Sequence, residues 1–120
     1  MENICIPAYI KNENKKIAEK KARDLLSRLG LDDRINHKPS ELSGGEKQRV
    51  ATARALINNP SVILADEPSG NLDSRNSVEI YNIFKSLRED FDQTFIIVTH
   101  NDEHASLTDR KLTMKDGKIL

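Results

Sequence analysis

The sequence predicts an α/β fold: a helical segment followed by a small, mainly parallel sheet flanked by helices. Three observations carry this. Apolar residues recur at helical spacing before residue 30 and again after residue 43. Two short, continuous apolar runs, Val62–Ala65 and Phe95–Val98, have the character of strands buried on both faces, as in the middle of a parallel sheet. Between them lies an amphipathic stretch. Strand, helix and strand within about thirty residues make one crossover unit, expected to be right-handed.

Each element has a local reason. Residues 1–12 hold a short apolar stretch interrupted by Pro7, which predicts a loop or edge segment, because proline removes a ladder donor. From Asn14 to Leu29, the residues Ala18, Ala22, Leu25, Leu26 and Leu29 build one apolar helix face, and Gly30 suits the left-handed position past its end. The opposite face is basic. It is either a solvated face or a contact for an acidic partner or lipid headgroups. Residues 32–42 read as a loop. Ser43 and Glu46 form a capping-box pair that opens a second helix, which Asn58, Asn59 and Pro60 stop. Asp73 or Ser74 caps a third helix, from about Arg75 to Arg88, with Ile80, Phe84 and Leu87 on one face. Lys111–Met114 and Lys118–Leu120 flank Asp116-Gly117, a pair favoured in tight hairpins.

Composition narrows the function. Nineteen basic and nineteen acidic residues give a formal net charge of +0, which argues against binding nucleic acid by bulk electrostatics. Aromatic residues are 4% and Trp is absent, against a stacking platform for single strands. A single cysteine, Cys5, excludes an intramolecular disulfide and reads as a small buried apolar residue in a reducing compartment. No apolar run approaches membrane-spanning length, and the first residues lack the pattern of a secretory signal. A soluble, cytoplasmic protein is expected.

Reactive side chains gather where the two strands end. Asp66 and Glu67 follow the first, and His100 the second. In open parallel sheets, ligands bind beyond these carboxyl ends. One carboxylate can hold Mg²⁺ as a hard oxygen ligand, and the next, pointing the other way, can accept a proton from an attacking water. The imidazole can hydrogen-bond a phosphate oxygen. Each also has a plain alternative, as a helix cap or a surface residue. Ser43-Gly44-Gly45 at a helix start is an anion site by construction, or simply a capped turn.

Taken together and in order, these segments are far more specific. Leu42–Glu46, Gln48-Arg49, Val62–Pro68, Asn71–Asp73 and Thr99-His100 resemble the ATP-binding-cassette (ABC) ATPases over nearly the whole chain. LSGGE is similar to their signature motif, VILADEP to their Walker B strand, GNLD to their D-loop and VTH to their switch histidine. The run from Pro39 to Asp73 is most similar to the lipoprotein-releasing and macrolide-type exporters, with close relatives such as the cell-division transporter-like ATPases sharing much of it. The resemblance implies a partial P-loop NTPase fold, with a helical signature subdomain over residues 1–60 and the C-terminal part of the ATPase core over 61–120. It implies ATP and Mg²⁺ as cofactors. Asp66 would help hold the metal, Glu67 would be the general base, and His100 would contact the γ-phosphate. Ser43, Gly44 and Gly45, with Glu46 and Gln48 in the same nucleotide-contacting segment, would serve ATP held by the opposite subunit, and Asp73 would lie at the dimer interface. The implied partners are a transmembrane permease subunit and a second copy arranged head to tail, with no nucleic acid. The implied location is the cytoplasmic face of the membrane, reached through the permease.

The sequence also departs from the family. Its glycines are Gly30, Gly44, Gly45, Gly70 and Gly117, and no G-x-x-x-x-G-K-[ST] phosphate loop (Walker A) occurs. The adenine-stacking aromatic residue and the Q-loop glutamine also lack counterparts. The chain is therefore expected to correspond to the C-terminal half of such an ATPase. Alone, it is expected neither to bind ATP tightly nor to hydrolyse it, and to expose apolar surface that favours self-association. The alternative is a non-enzymatic module that lends its signature segment to a full-length ATPase or competes with it. A chromosome-structure or DNA-repair ATPase half would carry long heptads before the signature, and none are present.

Overall fold

The computed structural model describes residues 2–34, 41–70 and 72–120. It begins with three α-helices, α1 (Glu2–Ile10), α2 (Lys15–Arg28) and α3 (Gly44–Leu56), and a short 3-10 helix, Asp32–Arg34, opens the segment expected as a loop, of which residues 35–40 lie outside the described residues. The segment around Pro7 is thus a helix rather than the expected loop or edge segment. Ile4, Cys5 and Ala8 share one face and are all but fully buried among α2 and α3. An interior proline costs about 3 kcal/mol, whereas burying a side chain such as Ile4 contributes roughly 1.5–3 kcal/mol by itself. Cys5 and Ala8 add to that, so burial prevails. The Pro7 carbonyl is also fully used, accepting from Lys11 N at 3.2 Å and Asn58 Nδ2 at 3.1 Å.

Helix α2 follows its sequence signals closely. The Asn14 side chain caps it by accepting from Lys16 N at 2.8 Å. At the other end Gly30 takes φ +74°, Gly30 N donates to Ser27 O and Leu31 N to Leu26 O. This is a Schellman termination, and Leu26 and Leu31 are buried in the same cluster. Ala18, Ala22, Leu26 and Leu29 form the predicted apolar face.

Strand β1 (Val62–Asp66) pairs in parallel with β2 (Thr94–Val98), Leu64 opposite Ile96, and α4 (Ser74–Phe91) connects them. The Asp73 side chain caps α4 by accepting from Asn76 N at 2.8 Å. Ile80, Phe84 and Leu87 of α4 cover Ile63, Ala65, Phe95 and Ile97, with the Phe84 and Phe95 rings stacked at 4.9 Å. The opposite face departs from expectation. Val62, Leu64, Ile96 and Val98 are exposed, Leu64 to 76%. A two-stranded unit with one crossover helix supplies one covering layer, so only alternate residues are buried among the described residues. Leu25 and Ile83 pack against both the helical cluster and the sheet cluster and join them.

A four-residue helix, α5 (Asp102–Ala105), follows β2 and was not anticipated. Asn101 caps it by accepting from Glu103 N and His104 N. The hairpin is β3 (Met114–Lys115) and β4 (Lys118–Ile119), shorter than the sequence suggests. Its turn residues Asp116 and Gly117 have φ of 52° and 77°, the type I′ signature. Among the described residues no helix is long and apolar enough to cross a membrane.

Candidate active site

Glu67 follows the last residue of β1 and has φ +46°, in the left-handed region that a glutamate rarely occupies. Its own backbone holds it there. Glu67 N donates to Val98 O at 2.8 Å, and its carbonyl accepts from Gly70 N at 3.0 Å. A Cβ at Gly70 would lie 3.3 Å from that carbonyl, so the tight turn favours glycine. This backbone directs the Glu67 carboxylate across to the end of β2. There Oε1 accepts from His100 N at 2.7 Å, and Oε2 accepts from Thr99 Oγ1 at 3.4 Å. His100 Nε2 is 3.7 Å from Oε1, with its side chain 95% exposed. Strain of this kind persists only where surrounding contacts over-determine it, and such places cluster at functional sites. A fixed carboxylate beside an exposed imidazole can take a proton from a water and present an N–H to an anion.

Asp66, the last residue of β1, is exposed, and its side chain makes no hydrogen bond or ion pair among the described residues. Those residues also contain no cluster of three potential metal ligands. The Asp66 carboxylate is a hard oxygen donor, and Mg²⁺ is usually bound by one or two carboxylates, with phosphate oxygens and water completing its shell.

The second group surrounds the start of α3. Ser43 Oγ accepts from Glu46 N at 3.1 Å, and Glu46 Oε1 accepts from Ser43 N at 3.0 Å, completing the predicted capping box. Each side chain thus holds the backbone N–H of the other residue. Gly44 and Gly45 occupy the first helical turn, where N–H groups lack intrahelical acceptors. Ser43 and Gly44 are exposed, whereas Gly45 is buried. A Cβ at Gly45 would meet Asn76 Oδ1 at 3.0 Å, and one at Gly44 would meet Leu72 at 3.5 Å. The glycine turn therefore packs against the residues flanking Asp73, and Arg49 of α3 reaches Glu79 of α4 at 2.6 Å. Gln48 is half-buried in the next turn, its carbonyl accepting from Thr52 Oγ1.

The sequence-predicted residues thus fall into two groups, Asp66, Glu67 and His100 at the strand ends, and Ser43 to Gln48 beside Asp73. No hydrogen bond joins the groups among the described residues. Sequence reasoning assigned no role to Thr99, Ser69, His104 or Tyr81, which lie around Glu67. The polar run after β2 is the signal that could have found Thr99 and His104, whereas Ser69 and Tyr81 carried none. Burial pushes the Tyr81 phenol up from its ordinary value, and the Ser69 and Thr99 side chains beside its hydroxyl pull it part of the way back.

A carboxylate pair and an imidazole thus gather at the carboxyl ends of two parallel strands, where α/β proteins bind their ligands. The chain belongs to the ABC transporter family, whose model, described as ABC transporter, matches residues 2–70. It is 55% identical to the lipoprotein-releasing system ATP-binding protein LolD of Cytophaga hutchinsonii, covering 100% of this chain and 55% of that protein. It is similar to the dimeric structure of a bacterial ABC transporter cassette, with a TM-score of 0.80 and 40% identity over 97% of this chain and 52% of the other. A dimeric post-hydrolysis state of the same cassette, bound to ADP and Pi, matches with a TM-score of 0.70 and 44% identity, over 83% of this chain and 44% of that one. The chain spans about half the length of the curated relatives it matches, and its architecture is a partial ABC ATPase fold.

Proposed function

We propose that this chain is the signature-bearing part of the ATP-hydrolysing subunit of an ABC exporter of the lipoprotein-releasing kind. The observation that carries the reading is the Glu67 carboxylate, fixed in a strained backbone and bonded to His100 N at 2.7 Å. Glu67 orients the attacking water and accepts its proton. His100 presents its exposed ring to the γ-phosphate. Asp66 is the carboxylate that would hold Mg²⁺, which supplies charge neutralisation at the phosphates when bound. Gly44 and Gly45 offer N–H groups, Ser43 its hydroxyl proton and the helix start its dipole to the phosphates of ATP held by a second, head-to-tail copy. Glu46 fixes that turn, Gln48 borders it, and Asp73 stands beside it at the copy-to-copy interface. Residues 1–60 form the subdomain that docks a transmembrane permease, and residues 61–120 the catalytic part. The subunit works on the cytoplasmic face of the membrane through that permease and needs no nucleic acid. The family resemblance and the dimeric cassette bound to ADP and Pi support this reading.

The phosphate loop is absent from the 120 residues. The test is therefore a hybrid in which these residues replace the matching part of the Cytophaga hutchinsonii relative. The hybrid is expected to hydrolyse ATP with Mg²⁺, whereas the 120-residue chain alone shows no turnover above its Glu67→Gln variant. An inert hybrid beside an active parent would overturn the proposal. The exposed Ser43 turn, closed by its own capping box, also fits a second reading, a module lending its signature to a full-length ATPase. In that case the chain, added in excess, alters the turnover of the intact relative.

A further inference from the structure

A polar contact with no part in the roles above lies behind the Glu67–His100 pair. Ser69 Oγ and His104 Nδ1 are 2.9 Å apart. Ser69 sits in the turn that follows Glu67 and is 3% exposed. His104 belongs to α5, four residues past His100, and is half-buried. Tyr81 of α4 forms the floor, its ring centroid 5.4 Å from that of His104. The contact therefore ties the segment carrying Glu67 to the segment carrying His100.

Among the described residues, the direct side-chain hydrogen bonds that otherwise join these segments run through the Glu67 carboxylate itself, to His100 N and Thr99 Oγ1. A carboxylate that takes a proton weakens its hold on both donors, because a charged acceptor forms the stronger bond. The Ser69–His104 bond does not involve Glu67 and persists through that change. A four-residue helix also cannot sustain itself by backbone bonds alone, so α5 needs a tertiary anchor. We propose that His104, held by Ser69 and seated on Tyr81, is a positioning residue that sets His100 against Glu67. The catalytic consequence rests on the function proposed above; the positioning itself does not.

The test compares His104→Ala, Ser69→Ala and His104→Asn in the 120-residue chain by amide hydrogen exchange. The first two variants are expected to speed exchange of the His100 N–H about tenfold while the Leu64 and Ile96 amides in mid-sheet stay unchanged. Asn at 104 can still reach Ser69 and is expected to restore most of the protection. In the hybrid, His104→Ala is expected to lower kcat about tenfold, as a small misplacement does, with KM for ATP little altered. Unchanged exchange at His100, or an equal rise across β1 and β2, would overturn the inference, the latter marking a merely structural contact. A hybrid that never turns over ATP, with exchange responding as described, would count against the proposed function and leave the positioning intact.

Discussion

Replacing Glu67 by Gln in the hybrid is expected to lower ATP turnover by about 10²–10⁴-fold, the range for removing a positioned general base. The amide keeps the size of the side chain and one oxygen that can still accept from His100 N, now 2.7 Å from Oε1. The backbone at Glu67 is held by its own bonds to Val98 and Gly70, so the turn should survive the change. ATP binding should therefore persist while kcat falls. Steady-state turnover beside equilibrium nucleotide binding separates these effects. Loss of binding in step with turnover would mean that the carboxylate is structural.

The largest expected effect on stability is at Leu26. It is 2% exposed, lies in the cluster formed by α1, α2 and α3, and its carbonyl closes the Schellman turn with Leu31. Leu26→Ala is expected to cost about 2–5 kcal/mol through lost burial and the cavity left behind. Leu64→Ala, by contrast, should change stability by no more than about 0.5 kcal/mol, because that side chain is already 76% exposed. Denaturant midpoints of both variants provide the check. A small loss at Leu26 would mean that the helical cluster repacks freely, and the glycine turn at the start of α3 would then lack a firm support.

Legibility in the sequence followed the range of the interactions involved. The caps at Ser43 and Asp73, the Schellman glycine Gly30 and the Asp116-Gly117 turn depend on neighbours within a few residues, and the sequence announced each. Helix α1 did not show, because Pro7 is a strong local signal and the burial that overrides it comes from α2 and α3, far along the chain. The bare face of the sheet was hidden for the same reason. A continuous apolar run such as Val62–Ala65 records what a strand can bury, not which layers are present to cover it. At the site, residue types at the strand ends pointed to Asp66, Glu67 and His100. The left-handed backbone of Glu67 and the Ser69–His104 bond could not be read, since both arise from pairing between segments about thirty residues apart.

The central claim is that the hydrolytic group and the signature turn act from opposite copies, and mixing two inactive variants tests it most directly. Gly44→Asp places a carboxylate where a phosphate would approach, while its Cβ meets Leu72 at an ordinary 3.5 Å. Hybrids carrying Gly44→Asp or Glu67→Gln should each be inactive. In a mixed head-to-tail pair, one site combines an intact Glu67 with an intact Gly44 from the other copy. The account predicts that mixing restores ATP turnover. A mixture as inactive as its two components would contradict it.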